Sequence, residues 1–165
     1  MPLAVASTSV VLAFEPSQRL AERIVTWVTD FCELSLQDIR LGARLHLAAH
    51  ELVENLVKYG KESSVRLDVE VERVERASIL RLRTCNAAAP ERLDEAVRIL
   101  TGLRDAEDPV AFYDQLVLES APRQGVSGLG LARIRVEGEL DLDFRVDGNQ
   151  LSIVVQTTFP DEVTK

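Results

Sequence analysis

Residues His50–Gly60, HELVENLVKYG, decide how the rest of the chain is interpreted. At about 100° per residue, this segment and the residues before it predict a helix over residues 39–59. The predicted apolar face of that helix consists of Leu41, Leu45, Ala48, Leu52, Leu56 and Tyr59. Glu51, Asn55 and Lys58 form a separate polar line, at spacings that make them neighbours on a helix surface. Taken alone, that line is typical of a solvated row of charges.

A second decisive segment is rich in glycine. Gly125–Leu131 reads GVSGLGL and continues into a predicted helix over Leu129–Glu137. Glycine lets the backbone take positive φ angles and approach a ligand closely. A helix that begins there offers free N–H groups and a positive dipole end to a phosphate group. The alternative is a flexible surface turn, because a lone glycine-rich turn is weak support for a ligand site.

Composition indicates an acidic globular protein of one domain. The 165 residues suit a single domain with a real core, and 46% of them are apolar. The formal charge of −8 argues against nonspecific nucleic-acid binding, although a local basic pocket for ATP remains open. Cys32 and Cys85 are too few and too far apart for a disulfide framework or a zinc motif. Neither a signal peptide nor an apolar run of about 20 residues is present, so we expect a cytoplasmic protein without a membrane segment.

The remaining sequence predicts strands and helices around the central helix. Strands are predicted over Ser9–Phe14, Val65–Val74, Ala77–Arg83, Leu140–Val146 and Gln150–Thr158. Further helices are predicted over Ser17–Cys32, Glu91–Leu103 and Pro109–Glu119. Gly60 is well placed to end the central helix, and Thr84–Pro90 breaks the strand pattern. This order predicts an α/β two-layer sandwich, with a mixed sheet and helices on one face.

Taken together, the two segments resemble the motifs of the GHKL (Bergerat-fold) ATP-binding family. That family includes histidine-kinase ATPase domains and the serine kinases that act as anti-sigma factors. Its N box, a helix of form E-x-x-x-N-x-x-[KH]-[YHA], is matched by Glu51, Asn55, Lys58 and Tyr59. Its G2 box, G-x-x-G-L-G-L, is matched by Gly125, Gly128, Leu129, Gly130 and Leu131. The resemblance implies that residues 1–165 form a single histidine-kinase-like ATPase domain, with a lid at about residues 91–124.

The resemblance also implies a role for each matched residue. Asn55 would supply an amide oxygen to Mg²⁺, which bridges the phosphates of ATP. Glu51 would act as the catalytic base toward the attacking hydroxyl group. Lys58 would place a positive charge near the phosphates. Backbone N–H groups of residues 125–130, including Ser127, would cradle the triphosphate. The implied nucleotide-binding set also contains Tyr59, Leu129 and Leu131.

The chain departs from the family at a third motif, D-x-G-x-G. The Asp of that motif accepts a hydrogen bond from the adenine amino group. The corresponding residues, 84–90, read TCNAAAP, with no Asp and with alanines in place of the glycines. Asn86 or Thr84 could accept the same hydrogen bond as a neutral and weaker partner. The alternative is that the adenine pocket is lost and only the scaffold remains.

One subgroup of the family, the SiaB-type kinases, looks similar in its replacement of the Asp motif by a segment with Asn. It also has a helical, Tyr-containing insert before the G2 box, as Leu103–Glu119 has here. This resemblance implies a serine/threonine kinase and binding switch of the anti-sigma, partner-switching type, with ATP and Mg²⁺ as cofactors. Its partner would be a small protein such as a STAS-domain antagonist, with no nucleic-acid or membrane partner. A homodimer is expected from the resemblance alone.

Other interpretations stay open at this point. A degenerate GHKL-fold adaptor would bind a partner protein without ATP hydrolysis or transfer, which the missing Asp favours. A detached histidine-kinase ATPase domain is less favoured, since no helix pair with a phospho-accepting His precedes the motifs. His46, His50 and Glu54 share one helix face, but they lack the spacing of the zinc-protease motif.

Overall fold

The structure, a computed structural model, describes residues 6–38, 41–60, 64–120 and 128–160. Its strands are β1 (Ala6–Phe14), β2 (Val65–Val74), β3 (Ala77–Ala87), β4 (Asp141–Asp147) and β5 (Gln150–Pro160). Its helices are α1 (Gln18–Leu36), α2 (Gly42–Tyr59), α3 (Pro90–Asp105), α4 (Pro109–Ser120) and α5 (Gly128–Val136). None of these described helices is both long and apolar enough to cross a membrane.

The strands form one five-stranded sheet in the order β1–β2–β3–β5–β4. All four neighbouring pairs are antiparallel, so the prediction of a mixed sheet is wrong. The connection between β1 and β2 explains the first pairing, because it contains two helices that pack together. Two helices joined by a short connection run antiparallel and return the chain to the end where β1 finished. The next strand therefore runs in the opposite direction.

One hydrophobic core lies between the sheet and the helices. Alternation along β2 buries every second side chain, namely Val65, Leu67, Val69 and Val71. These residues pack with the buried faces of α1, α2, α3 and α5. The opposite face of the sheet carries charges, where Arg81 pairs with Glu72 at 2.7 Å and with Glu70 at 3.4 Å. The helices therefore cover one face of the sheet, as the alternating sequence predicts.

Helix α2 is the central helix of this core, as predicted. Its most buried apolar residues, each at most 1% exposed, are Leu45, Ala48, Ala49, Leu52, Val53 and Leu56. Residues 39 and 40, where the helix was predicted to begin, lie outside the described ranges. Gly60 ends the helix, and its N–H donates to the Leu56 carbonyl at 2.8 Å. A Cβ atom at Gly60 would overlap both that carbonyl and Val65, which explains why glycine is required there.

Helix α1 and strand β3 are among the elements that extend further than predicted. Helix α1 continues past Cys32 to Leu36, and Gln37 ends it in a left-handed conformation with φ 55°. The predicted break at Thr84 is wrong, because β3 continues to Ala87 and pairs with β5 throughout. Thr84 and Asn86 are buried on the inner face of the sheet. They interrupt the apolar pattern without interrupting the strand.

Helices α3 and α4 occupy most of the region predicted as a lid. Ile99, Leu100 and Leu103 of α3 are buried in the core, so this region packs against the body of the domain. Asp108 begins α4, and its Oδ1 accepts hydrogen bonds from the N–H groups of Val110 and Ala111, both at 3.0 Å. Residues 121–124 of the predicted lid lie outside the described ranges.

Candidate functional site

A pocket lies at one end of the core, between α2, the end of β3, α3 and the first turn of α5. Five residues predicted from the two motifs and from residues 84–90 line it: Asn55, Tyr59, Asn86, Gly128 and Leu131. Residues that were not predicted complete the lining: Ala88, Arg92, Ala96, Ile99, Leu151 and Ile153. The empty space is about 520 Å³ with the open solvent at its mouth included. The fold therefore brings together segments that are far apart in the sequence.

Two buried polar atoms of this pocket lack a hydrogen-bond partner among the described residues. They are Nδ2 of Asn55 and the hydroxyl oxygen of Tyr59. An unsatisfied buried polar group costs about 1–3 kcal/mol of stability. In native proteins such groups are usually completed by water, an ion or a ligand. A molecule that enters this pocket would supply the missing partners.

Asn86 presents an amide to the same pocket. Its Nδ2 donates to the carbonyl oxygen of Ala87 at 3.0 Å, so Oδ1 is the atom left to accept a hydrogen bond from a ligand. Thr84 lies two residues earlier on the same buried face and is 2% exposed. Thr84 does not line the pocket. Of the two residues predicted to replace the Asp of the family motif, the structure places Asn86 at the pocket.

Glu51 lies one turn before Asn55 on α2, against the start of α5. It is 8% exposed, and its Oε1 accepts a hydrogen bond from Nη1 of Arg133 at 2.7 Å. Its Oε2 lies so close to Gly130 that a Cβ atom there would overlap the carboxylate. Burial raises the pKa of the Glu51 carboxyl group above its usual range, and the nearby Arg133 guanidinium opposes this shift. A carboxylate with a raised pKa is a stronger base than an exposed glutamate.

Arg133 is a site residue that the sequence analysis missed. It also pairs with Glu137, with Nε 3.1 Å from Oε1 and Nη2 3.2 Å from Oε2. The hydrogen bond to Glu137 is the main cause of the raised pKa of Arg133, and it holds the guanidinium group beside Glu51. No periodic pattern links Arg133 to Glu51, because 82 positions separate them. The only signal in the sequence is a basic residue soon after the glycine-rich segment.

Two cations flank Tyr59 near the mouth of the pocket. Lys58 Nζ lies 5.4 Å from the centroid of the Tyr59 ring, and Arg92 Cζ lies 5.9 Å from it. Cations at these distances are attracted by the negative face of an aromatic ring. Lys58 was predicted, although it does not line the pocket; Arg92 was missed, and it does. Two cations therefore lie beside Tyr59, and one of them, Arg92, also forms an ion pair with Glu95 at 3.8 Å.

The glycine-rich segment is described only from Gly128 onward, and Gly125 and Ser127 lie outside the described ranges. Gly128 is the first residue of α5 and lines the pocket. Leu131 is 5% exposed and lines it too, whereas Leu129 is half-buried and does not. The first N–H groups of a helix have no partner within the helix. Gly128 therefore brings the start of α5 to the pocket, and the binding of a phosphate group by these N–H groups stays a prediction.

The structure does not assemble the histidine face considered from the sequence. His46 Nδ1 lies 3.5 Å from Thr29 Oγ1. Ligand atoms of His50, Glu51 and Glu54 instead lie within 4.8 Å of one another. His50 and Glu54 are exposed, and Arg133 already binds Glu51. Two of the three residues are thus exposed and the buried one is held in an ion pair, so the group is not a closed set of metal ligands.

Comparisons with known proteins show the fold. No protein-family model matches this chain, and no curated protein matches it. Among solved structures, the chain is similar to a chain in the crystal structure of the SiaB–SiaC complex from Pseudomonas aeruginosa. The TM-score is 0.60 at 14% sequence identity, over 91% of this chain and 89% of that chain. The two chains share a fold.

The contact between Gly130 and Glu51 leads to a prediction about stability. We expect Gly130→Ala to lower the free energy of unfolding by about 1–3 kcal/mol, because the new methyl group displaces a buried, ion-paired carboxylate. In a Glu51→Ala background the obstacle is gone, and Gly130→Ala should be neutral or stabilising by up to about 1 kcal/mol, since alanine is the better helix residue. Urea unfolding of the four proteins in this double-mutant cycle measures the coupling. If the changes in the free energy of unfolding caused by the two single substitutions simply add up in the double variant, the contact between Gly130 and Glu51 is contradicted.

The raised pKa of Glu51 leads to a prediction about pH. The folded protein raises the pKa of Glu51 above its usual value of 4.5, because burial favours the protonated form. The protonated carboxyl group therefore contributes its full stabilisation at pH values below 4.5, and this stabilisation is lost as pH rises through the folded-state pKa. Glu51→Gln cannot ionise, so its stability relative to the natural protein should increase from acidic to neutral pH. Urea unfolding across that range measures the difference, with the exposed Glu54→Gln as the matched control. A difference that stays constant with pH would contradict the burial of an ionisable Glu51.

Proposed function

We propose that this protein is an ATP- and Mg²⁺-dependent serine/threonine protein kinase with a Bergerat (GHKL) fold, which acts as a binding switch on a small STAS-like partner protein. The observation that carries the proposal is the pair of buried, unpartnered polar atoms on Asn55 and Tyr59 in one pocket. Such atoms destabilise the free protein, and a ligand that completes them recovers that free energy. The lining chemistry indicates which ligand class the pocket takes.

The pocket residues fit a nucleotide triphosphate with a bound divalent cation. The amide oxygen of Asn55 is a hard ligand of the kind that Mg²⁺ prefers. The N–H groups at the start of α5 would bind phosphate oxygens, and Arg92 and Lys58 would add positive charge near the mouth. Asn86 Oδ1 would accept a hydrogen bond from the adenine amino group. When bound, ATP would supply the phosphoryl group and Mg²⁺ would neutralise part of its charge.

Glu51 is the residue that would take the proton from the acceptor hydroxyl group. Its burial raises its pKa and strengthens it as a base, while the ion pair with Arg133 favours the ionised form that can accept a proton. Gly130 leaves room for the carboxylate at the start of α5. Glu51 therefore lies at the junction between the helix that carries Asn55 and the helix that would bind phosphate.

The comparison with solved structures supports a partner-switching role. The similar chain comes from a complex of two proteins, SiaB and SiaC, and the similarity extends over nearly the full length of both chains. A kinase that switches partners needs a protein substrate that also binds it, which agrees with a fold found in such a complex. By this proposal the acceptor is a serine or threonine on the partner.

A nucleotide-free adaptor of the same fold is the second candidate. The observation that favours it is the alanine-rich end of β3, where Ala88 places a methyl group in the pocket lining. The Ala88 N–H also donates to the Asn149 carbonyl at 2.9 Å, which fixes this segment against the β4–β5 turn. An adaptor would bind its partner with the same affinity whether or not ATP is present.

If Glu51 is the catalytic base, its substitution should affect phosphoryl transfer and leave ATP binding nearly unchanged. Glu51→Ala should keep ATP binding within about threefold and lower phosphoryl transfer by at least about 100-fold, the usual contribution of a general base. Transfer of labelled phosphate from ATP to a STAS-domain protein that the chain binds measures the rate. Glu54→Ala is the matched control, because Glu54 is an exposed acid on the same helix. Transfer by Glu51→Ala at the natural rate would exclude Glu51 as the base.

If Asn55 binds Mg²⁺, its substitution should lower the nucleotide affinity only when the metal ion is present. Asn55→Ala should weaken nucleotide affinity by about tenfold or more in Mg²⁺, because it removes an oxygen ligand, and have a much smaller effect in EDTA. Titration with a fluorescent ATP analogue in both buffers measures the difference. Gln156→Ala, an exposed amide on β5, is the control. Equal effects in Mg²⁺ and EDTA would remove the assignment of Asn55 to the metal.

A further inference from the structure

Helix α4 leaves one face open to solvent, and that face is apolar around a single carboxylate. Residues three and four positions before and after Asp114 are its neighbours on the helix surface. All four are apolar and exposed, and we call them, together with Asp114, the α4 surface: Val110, Ala111, Val117 and Leu118. Leu118 is 76% exposed and Val110 is 53% exposed. Exposed apolar residues that are contiguous indicate an interaction surface.

The other faces of α4 are occupied by the rest of the domain. Phe112, Tyr113 and Leu116 form its inner face and pack in the hydrophobic core. On one flank, Nη1 of Arg98 on α3 lies 3.9 Å from Oε2 of Glu119. The α4 surface is the face that remains exposed, so its apolar residues are not needed to hold the helix in place.

The α4 surface lies beside the candidate site and outside the nucleotide pocket. Helix α4 packs against α5. Helix α5 begins at Gly128 in the pocket and carries Arg133, which binds Glu51. Of the described residues that line the pocket, none belongs to α4. A protein bound to the α4 surface would therefore lie close to the site and leave the pocket free.

The charge of this region indicates the chemistry of the partner. Residues 105–120 include no Lys or Arg, and their acidic members are Asp105, Glu107, Asp108, Asp114 and Glu119. Within the described part of the chain, Asp114 has no ion-pair partner. A carboxylate surrounded by apolar groups attracts a cation more strongly once those groups exclude water. Arginine suits such a position best, because its guanidinium group is weakly hydrated and binds a carboxylate through two hydrogen bonds.

We propose that the α4 surface binds a protein partner that presents one arginine at the centre of an apolar patch. The guanidinium group pairs with Asp114. Apolar residues of the partner cover Val110, Val117 and Leu118 and keep water away from the ion pair, as the rim of an interface does around its central contact. This inference rests on the part of the proposed function that requires a protein partner, and it does not require nucleotide binding or phosphoryl transfer.

A second copy of this chain fits the α4 surface poorly. Two α4 helices that met about a two-fold axis would present the same surface to each other. That contact would place Asp114 of one copy near Asp114 of the other, and each copy carries a formal charge of −8. Like charges brought together in an interface destabilise it. The surface therefore fits a partner of opposite charge.

Two synthetic peptides test the charge of the partner. Both are short stapled helices with one leucine-rich face, and the central residue of that face is arginine in one peptide and glutamate in the other. The full chain should bind the arginine peptide at least about tenfold more tightly than the glutamate peptide. Asp114→Arg should reverse this preference, whereas Asp94→Arg, at an exposed acid on α3, is the matched control and should keep it. Fluorescence anisotropy without nucleotide measures each dissociation constant.

Leu118 tests the apolar part of the surface. Leu118→Ser should weaken binding of the arginine peptide by about tenfold, because it removes apolar cover from the ion pair. Leu34→Ser is the control, since Leu34 is 79% exposed on α1 and lies outside the α4 surface. Amide NMR shifts caused by the peptide should centre on residues 110–118. All the substituted side chains are exposed, so each variant should keep the unfolding midpoint of the natural protein.

The results separate the proposal from its rivals. A preference for the arginine peptide that Asp114→Arg reverses and Leu118→Ser weakens supports it. Failure of both peptides to bind, or a preference that Asp114→Arg leaves unchanged, would overturn it. Self-association of the chain that Leu118→Ser abolishes in sedimentation equilibrium would also overturn it, because the occupant would then be a second copy. So would peptide binding that appears only in Arg123→Glu, because residues 121–127 of the same chain would then be the occupant.

These outcomes are independent of the nucleotide. Every measurement is made without ATP, so a protein that fails to bind ATP can still show the reversed peptide preference. In the same way, a kinase that transfers phosphate can fail the peptide test. Failure of this inference and failure of the proposed function are therefore distinguishable.

Discussion

The contact between the carboxylate of Glu51 and the backbone at Gly130 is the constraint on which the arrangement of the pocket depends. A side chain at residue 130 would force the Glu51 carboxylate to move away from Arg133, because its Cβ atom would overlap that carboxylate. Gly128 has a similar role toward α3, where a Cβ atom would overlap Ile99. Two glycines of one segment therefore leave room beside α5 for side chains of α2 and α3. The ion pair between Glu51 and Arg133 closes this junction from the side of α5.

Several features of this junction lower the stability of the free protein. Burial disfavours the ionised form of Glu51, and Asn55 and Tyr59 each hold a buried polar atom without a partner among the described residues. Apolar residues of similar size would pack there at a lower cost in free energy. Polar groups that oppose folding and converge on one pocket are typical of a functional site. This pattern is the physical basis for placing a ligand there, and the cations near Tyr59 favour a negatively charged one.

Much of the fold could be predicted from local patterns, because burial imposes a period on the sequence. The alternation of β2 and the apolar face of α2 were predicted and are confirmed. The end of β3 was missed because Thr84 and Asn86 are polar residues on a buried face. Their polarity indicates the nearby pocket and does not mean that the strand has ended. The prediction of a mixed sheet was wrong because the relative direction of two strands depends on how many helices connect them, and no periodic pattern encodes that number. The pairs β2–β3 and β4–β5, joined by short turns, are antiparallel as predicted. Arg133 and Arg92 were missed for a related reason, since Glu51 and Tyr59, the neighbours that make them part of the site, lie on another helix, and only the tertiary fold brings them together.

The central claim is that the pocket between α2 and α5 binds ATP with Mg²⁺. Calorimetric titration of the purified protein with ATP, in the presence and in the absence of Mg²⁺, tests it most directly. The account predicts saturable binding of one ATP per chain with a micromolar dissociation constant that requires Mg²⁺, which would mean that Asn86 replaces the missing Asp. Absence of binding up to millimolar ATP would contradict the account and would favour the nucleotide-free adaptor.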